Sequence, residues 1–150
     1  WWVGKPLMRE GGVLIGLGEC RAVYDDPTYR CWAEMMEIWD RVATHTSDLS
    51  AYEDDFLNRQ DLLDLYHHHY AYHPIHGFWL LYQCQYTYDR LSKIIAAGKV
   101  NPEACRRLNM TPATDFAQAY EMATAILDDD PTVVVMPSFW GGIHAQYRVS

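Results

Sequence analysis

The sequence predicts an α/β fold: a three-layer Rossmann-like domain in which a mostly parallel sheet is flanked by helices. Three short apolar runs indicate strands, at residues 11–18, 92–98 and 132–136. Stretches with helical patterns separate these runs, and such alternation produces parallel strands that are joined by right-handed crossovers. We therefore expect strand, helices, strand, helices and strand, in that order along the chain.

The first run is continuous and apolar, which is typical of a strand that is buried on both faces. We expect it to end in a loop of small and polar residues that begins at Gly16 and includes Gly18. These glycines are only a weak match to a dinucleotide-binding loop. The third glycine of that motif is missing, and no acidic residue closes a second strand about 20 residues later.

A helix is predicted after the first strand, because Asp26 is suited to the N-cap and Pro27 to the first helical position. Four aromatic or sulfur-containing residues then recur at helical spacing and form one apolar stripe: Tyr29, Trp32, Met36 and Trp39. A polar linker is expected at 44–50, followed by helical character over 51–72.

Pro74 disfavours a helical conformation at His73, so the sequence predicts a break there and a further helix over 77–91. The second strand, 92–98, follows directly. Asn101, Pro102 and Glu103 form a helix-start signal for a short helix.

The next helix opens at either of two signals, Thr111 with Pro112 or Thr114 with Asp115. Its apolar face consists of Phe116, Ala119, Tyr120, Ala123, Ile126 and Leu127. Residues 128–131 end that helix, and the β-branched run 132–136 is predicted to be the third strand.

Composition restricts the class of function. The chain has 150 residues, enough for one domain with a sizeable core, and 12 basic residues against 20 acidic ones. This balance argues against nucleic acid and against an anionic membrane surface as partners. Apolar runs are too short for a spanning helix.

The four cysteines are Cys20, Cys31, Cys84 and Cys105, and they form no Cys-x-x-Cys motif. We expect reduced thiols and a cytoplasmic location, with two disulfides as the alternative.

A histidine stretch extends from His67 to His76. It has three interpretations: partly exposed helix residues, an active-site role for one or two of them, or a metal site. His69 and His73 have the four-residue spacing of metal ligands on a helix, but the break at Pro74 makes a helical His73 doubtful.

His76 and Trp79 lie at a predicted helix start, where backbone N–H groups favour an anion such as a carboxylate. There Trp79 can stack on a flat cofactor and His76 can donate a hydrogen bond. The alternative is that Trp79 belongs to the core.

Three segments, 5–20, 76–95 and 108–137, resemble in their order the C-terminal part of the lactate racemase family. The first resembles a Gly-Gly strand that ends in Glu-Cys, and the second a tryptophan-bearing helix that leads into a strand. The third resembles the end of the family's domain, which consists of a Leu-x-Pro-Ala motif, a helix, a strand and a proline. Residues 108–113 correspond to the Leu-x-Pro-Ala motif.

The resemblance implies that residues 1–150 form a single C-terminal α/β domain, a fragment of a larger two-domain enzyme. Such an enzyme racemises or epimerises a small 2-hydroxy acid by hydride transfer to a nickel pincer nucleotide. The N-terminal domain would hold that cofactor, its nickel and the acid/base histidines, so no bound cofactor or metal is expected in this fragment alone. Here His76 and Trp79 are the candidate catalytic residues, and Trp79 also the candidate cofactor-binding residue. The alternatives are a non-catalytic α/β interaction module and a small His-rich metal-binding protein.

Overall fold

A computed structural model describes residues 8–20, 26–42, 44–127 and 130–136 of the chain. Its sheet contains three parallel strands in the order β1-β2-β3, namely β1 (Val13–Cys20), β2 (Lys93–Val100) and β3 (Thr111–Ala113). Ile15 pairs with Ile95, and Ile95 pairs in turn with Thr111. The predicted α/β class, a parallel sheet flanked by helices, is confirmed.

Six α-helices and two 3-10 helices accompany the sheet in the described ranges. Between β1 and β2 lie the 3-10 helix Pro27–Tyr29, α1 (Arg30–Val42), the 3-10 helix Thr46–Tyr52, α2 (Glu53–Leu57), α3 (Gln60–His68) and α4 (His76–Arg90). The helix α5 (Pro102–Arg107) connects β2 to β3, and α6 (Phe116–Thr124) follows β3. No helix in this described part combines the length and apolar character needed to cross a bilayer.

Polar side chains cap three of the helices at the predicted positions. The Asp26 carboxylate accepts the N–H of Thr28 at 2.8 Å, at the 3-10 helix that leads into α1. The Asn101 side chain accepts N–H groups from the first turn of α5. Asp115 accepts the N–H of Gln118 at 2.9 Å and thereby caps α6. Of the two alternatives for the last helix, the signal at Thr114 and Asp115 is the correct one.

Most of the buried hydrophobic side chains in the described ranges belong to two clusters. The sheet cluster joins β1, β2 and β3 to α6 and consists of Ile95, Ala97, Ala113, Ala119 and Ala123, with Val13, Ile15 and Met122 packed against them. The helical cluster is larger and consists of Cys31, Met35, Met36, Ile38, Trp39, Leu49, Phe56, Leu62, Phe78 and Leu81. The helices between β1 and β2 thus build a core of their own.

The end of α5 connects the two clusters. Leu108 packs against the helical cluster. The Trp39 indole N–H donates to the carbonyl of Arg107 at 2.6 Å, and the Tyr88 hydroxyl donates to that of Leu108 at 3.1 Å. Two helices of the helical cluster, α1 and α4, are thereby fixed to the connection between β2 and β3.

Two predictions about strands were wrong. Residues 132–136 form no strand, and Val133, Val134 and Val135 are exposed. The third strand is Thr111–Ala113, which sequence patterns had assigned to a possible helix start. Pro112 fits this short strand because β3 is an edge strand, where a missing N–H costs no ladder bond.

Predictions about the first strand and the linker also need correction. Gly16 and Gly18 lie inside β1, paired with β2, and do not form a loop. The strand is not buried on both faces, since Leu17 is 63% exposed at the edge of the sheet. The expected polar linker at 44–50 forms most of a 3-10 helix, because the His45 ring accepts the Ser47 N–H and Leu49 is fully buried.

Candidate functional site

The two predicted site residues lie together in the first turn of α4. The Trp79 side chain is 53% exposed, so its indole does not belong to the core. The His76 ring is partly buried, and its centroid lies 6.5 Å from that of Trp79. The three-residue spacing on a helix places both rings on neighbouring parts of one surface.

Aromatic rings from α1 and from the segment before α4 hold His76 in place. Tyr72 stacks on it almost face to face, with centroids 4.7 Å apart and an interplanar angle of 7°. Trp32 of α1 meets it edge-on at 5.4 Å. Tyr72 in turn contacts Tyr29 at 5.4 Å. The imidazole is therefore part of an ordered aromatic cluster at the start of α1 and α4.

Two ring nitrogens in this cluster are buried without a hydrogen-bond partner among the described residues: His76 Nδ1 and Trp32 Nε1. Burial, and secondarily the charge of His73, lowers the pKa of His76 below its usual value. The imidazole is consequently neutral at pH 7, with one ring nitrogen able to accept a proton or a hydrogen bond. Unpaired buried polar atoms are uncommon in folded proteins.

Gly77 allows the close approach of α1 to α4 that forms this cluster. A Cβ atom at Gly77 would lie 2.8 Å from the Cε of Met35 and 3.4 Å from the Trp32 ring. The glycine thus sets the distance at which Trp32 meets His76.

The start of α4 is less open to an anion than the sequence predicts. No side chain caps it. The N–H of His76 donates to the carbonyl of His73 at 2.9 Å. Gly77 and Phe78 are buried, so their backbone is not at an open surface. A ligand at this helix turn would therefore contact the exposed Trp79 ring rather than the backbone N–H groups.

The histidine stretch does not form a ligand set. His67, His68 and His69 are exposed, and His73 packs its ring edge-on against Tyr66 at 5.0 Å. Across the described ranges, no three side chains from His, Cys, Asp and Glu lie in a group that could hold a metal ion. The metal-site interpretation of this stretch therefore has no geometric support among those residues.

Sequence reasoning proposed His76 and Trp79 as site residues and did not identify the residues that position them. Trp32 was included only as part of an apolar stripe, and Tyr72 was assigned to a helical stretch. Tyr72 stands four residues before His76, on the other side of Pro74. That spacing across a predicted break is the one signal that could have suggested their contact.

Comparisons with family models, with curated proteins and with solved structures each found no match. The site is therefore defined by its own geometry. It offers an exposed indole beside a neutral imidazole on a fixed aromatic support, which together suit a flat or partly apolar ligand.

Proposed function

We propose that this chain is the C-terminal domain of a lactate racemase-type enzyme that racemises or epimerises a small 2-hydroxy acid. The observation that carries the proposal is the pairing of a half-exposed Trp79 with a neutral His76 on one helix turn. These are the residues on which the family resemblance in the second segment rests. In this proposal the surface around them faces the N-terminal domain of the same protein.

The Trp79 indole suits a contact with a flat cofactor ring. Its exposed face is apolar and planar, and aromatic faces stack on other rings with favourable energy. In this proposal nickel is held by the N-terminal domain, as the family resemblance implies. When bound, the nickel pincer nucleotide supplies the acceptor for the hydride that leaves the substrate α-carbon.

His76 would contribute a hydrogen bond when the domains close. Its Nδ1 is buried without a partner among the described residues, so closure would have to expose this nitrogen before a hydroxyl group could donate to it. Closure would also exclude water, which hydride chemistry requires. Since Tyr72 and Trp32 hold the ring, this nitrogen keeps a fixed direction.

Replacing Trp79 in the full-length, cofactor-loaded enzyme tests the proposal. We expect Trp79→Ala to lower turnover of a chiral 2-hydroxy acid by about tenfold or more, equivalent to about 1.4 kcal/mol in activation free energy. Phe116→Ala is the matched control, because Phe116 is 52% exposed on α6. It should leave turnover unchanged. Equal turnover of Trp79→Ala and wild type, with both folded, would refute the role of this residue.

An isotope experiment tests the reaction class independently of any variant. A 2-hydroxy acid with deuterium on its α-carbon should keep that deuterium when racemised in ordinary water, because a hydride returns to the carbon from which it left. Loss of the label to solvent would indicate proton abstraction and would contradict the proposed chemistry.

The second candidate is a non-catalytic α/β interaction module. It is favoured by several exposed aromatic side chains near α3 and α4, namely Tyr66, Tyr70, Tyr72 and Trp79. Exposed aromatic residues are enriched at protein interfaces. A full-length protein that loads no cofactor and turns over no 2-hydroxy acid, but loses binding to its partner on Trp79→Ala, would support this candidate over the first.

A further inference from the structure

We infer that Cys20 and Cys105 form a redox-active dithiol, which a hydroperoxide oxidises reversibly to a disulfide. This modification site is separate from the cluster around His76 and does not depend on the proposed function.

Backbone hydrogen bonds bring the two cysteines together through one residue. Cys20 is the last residue of β1 and pairs with Val100. Its carbonyl accepts the N–H of Asn101 at 2.8 Å, and the N–H of Cys105 donates to the carbonyl of Asn101 at 3.0 Å. Asn101 also caps α5, which fixes the direction of that helix relative to the end of β1.

The alternation of side chains along β1 directs Cys20 to the face of the sheet away from α6. Val13 and Ile15 pack in the cluster that contains α6. Successive side chains of a strand point to opposite faces, so Cys20 shares its face with Leu14 and not with Ile15. Burial, and after it an interaction with the Cys20 thiol, raises the pKa of Cys105, so the two side chains are neighbours at this end of the sheet.

The two thiols differ in access to solvent, which assigns them different roles. Cys105 is fully buried, whereas Cys20 is partly exposed at the end of its strand. A peroxide therefore reaches Cys20 first. Cys105, which neighbours Cys20 but is shielded from solvent, is suited to resolve the product.

The chemistry balances with the hydroperoxide as the oxidant. The Cys20 thiolate attacks one peroxide oxygen, the O–O bond breaks, and the leaving oxygen takes up a proton to become water or an alcohol. The sulfenic acid on Cys20 is then attacked by the Cys105 sulfur, which forms the S–S bond and releases water. Overall, two thiols lose two protons and two electrons, and a thiol reductant reverses the change.

The remaining cysteines serve as internal controls. The thiol of Cys31 is buried and lies 3.7 Å from the carbonyl oxygens of Tyr72 and His73. Burial raises its pKa to about 11 and also raises the pKa of Cys84. Burial and a raised pKa disfavour the thiolate that attacks peroxide in the first step, a role that the inference assigns to Cys20 and not to Cys105.

Oxidation of the native chain with hydrogen peroxide, followed by non-reducing tryptic mass spectrometry, tests the inference. Cys20 and Cys105 fall in different tryptic peptides, 10–21 and 100–106. We expect these two peptides to become joined, with the loss of two hydrogen atoms, and to separate again after dithiothreitol. Four thiols that survive excess peroxide, or a cross-link between any other pair, would overturn the inference.

Variants then separate the roles of the two cysteines. In Cys105→Ser, dimedone should trap a sulfenic acid on Cys20, because no resolving thiol remains. Cys84→Ser should form the Cys20–Cys105 cross-link as readily as wild type. Trapping of dimedone on Cys84 in preference to Cys20 would contradict the assignment. If a variant folds poorly, the mass spectrometry of the wild-type chain still tests the inference.

Discussion

The surroundings of His76 make the stability of the protein depend on pH in a definite direction. Its pKa is lowered in the folded state by burial and by His73. Above the ordinary histidine range the ring is neutral in both states, and its contribution is fully present. As the pH falls through that range the unfolded chain binds the proton first, so stability is lost.

We therefore expect His76→Gln to flatten the fall in unfolding free energy between pH 8 and pH 5. Urea unfolding of both proteins at several pH values measures this, and an NMR titration of the His76 ring reports its pKa directly. A ring pKa at or above that of a free histidine would contradict the burial argument. His68→Gln is the control, since His68 is exposed at the end of α3.

Gly98 is a residue at which the backbone itself favours glycine. Its φ is +114°, and a Cβ atom there would lie 2.6 Å from the carbonyl oxygen of Gly18. We expect Gly98→Ala to destabilise the fold by about 1–3 kcal/mol from backbone strain, with the contact adding to it. The paired residue gives a matched control, because a Cβ at Gly18 meets nothing within 4 Å. Equal unfolding free energies of the two variants in urea would contradict this.

Local signals predicted part of the candidate site, and tertiary contacts determined the rest. The predicted break at Pro74, and the helix start with a tryptophan that follows it, pointed to His76 and Trp79. The packing of Trp32 on His76 joins residues far apart in sequence, and it depends on the close approach of α1 to α4 at Gly77. No spacing rule within one segment contains that information.

At the scale of elements, the cap of α5 is the clearest case in which sequence and structure agree. The Asn101 side chain accepts the N–H groups of Glu103 at 2.9 Å and Ala104 at 3.0 Å. We expect Asn101→Ala to lower the unfolding free energy by about 1 kcal/mol, because both donors lose their acceptor. Asn101→Asp keeps an acceptor oxygen and should stay close to wild type in the same urea titration. A full loss in the aspartate variant would show that the cap is not the cause.

Strand assignments were less secure than helix caps, for a physical reason. A strand forms only where a partner strand pairs with it, and that partner can be far away in sequence. A helix cap depends only on residues a few positions away. Residues 132–136 have the β-branched pattern of a strand but no partner among the described residues. Thr111–Ala113 has a weak pattern, yet it pairs with β2. The runs predicted for β1 and β2, 11–18 and 92–98, begin within two residues of the observed strands, but both strands extend two residues further, to Cys20 and Val100.

At the scale of the whole molecule, the two hydrophobic clusters meet at the end of α5. Trp39 of the helical cluster and Tyr88 of α4 donate to the carbonyls of Arg107 and Leu108. The Arg107 side chain also forms an ion pair with Asp40 at 2.6 Å. Because these contacts connect α1 and α4 to the segment between β2 and β3, unfolding of the helical cluster should disrupt the support of the sheet.

We expect Leu62→Ala, which removes a buried side chain of the helical cluster, to destabilise the protein by about 2–5 kcal/mol. Native-state hydrogen exchange should then show equal losses of protection in α1 and in β2, since the two clusters unfold as one unit. Leu57→Ala is the control, because Leu57 is 37% exposed on α2 and its loss should change stability by no more than about 0.5 kcal/mol. Loss of protection in α1 with none in β2 would show that the end of α5 does not couple them, and that the helical cluster unfolds independently of the sheet.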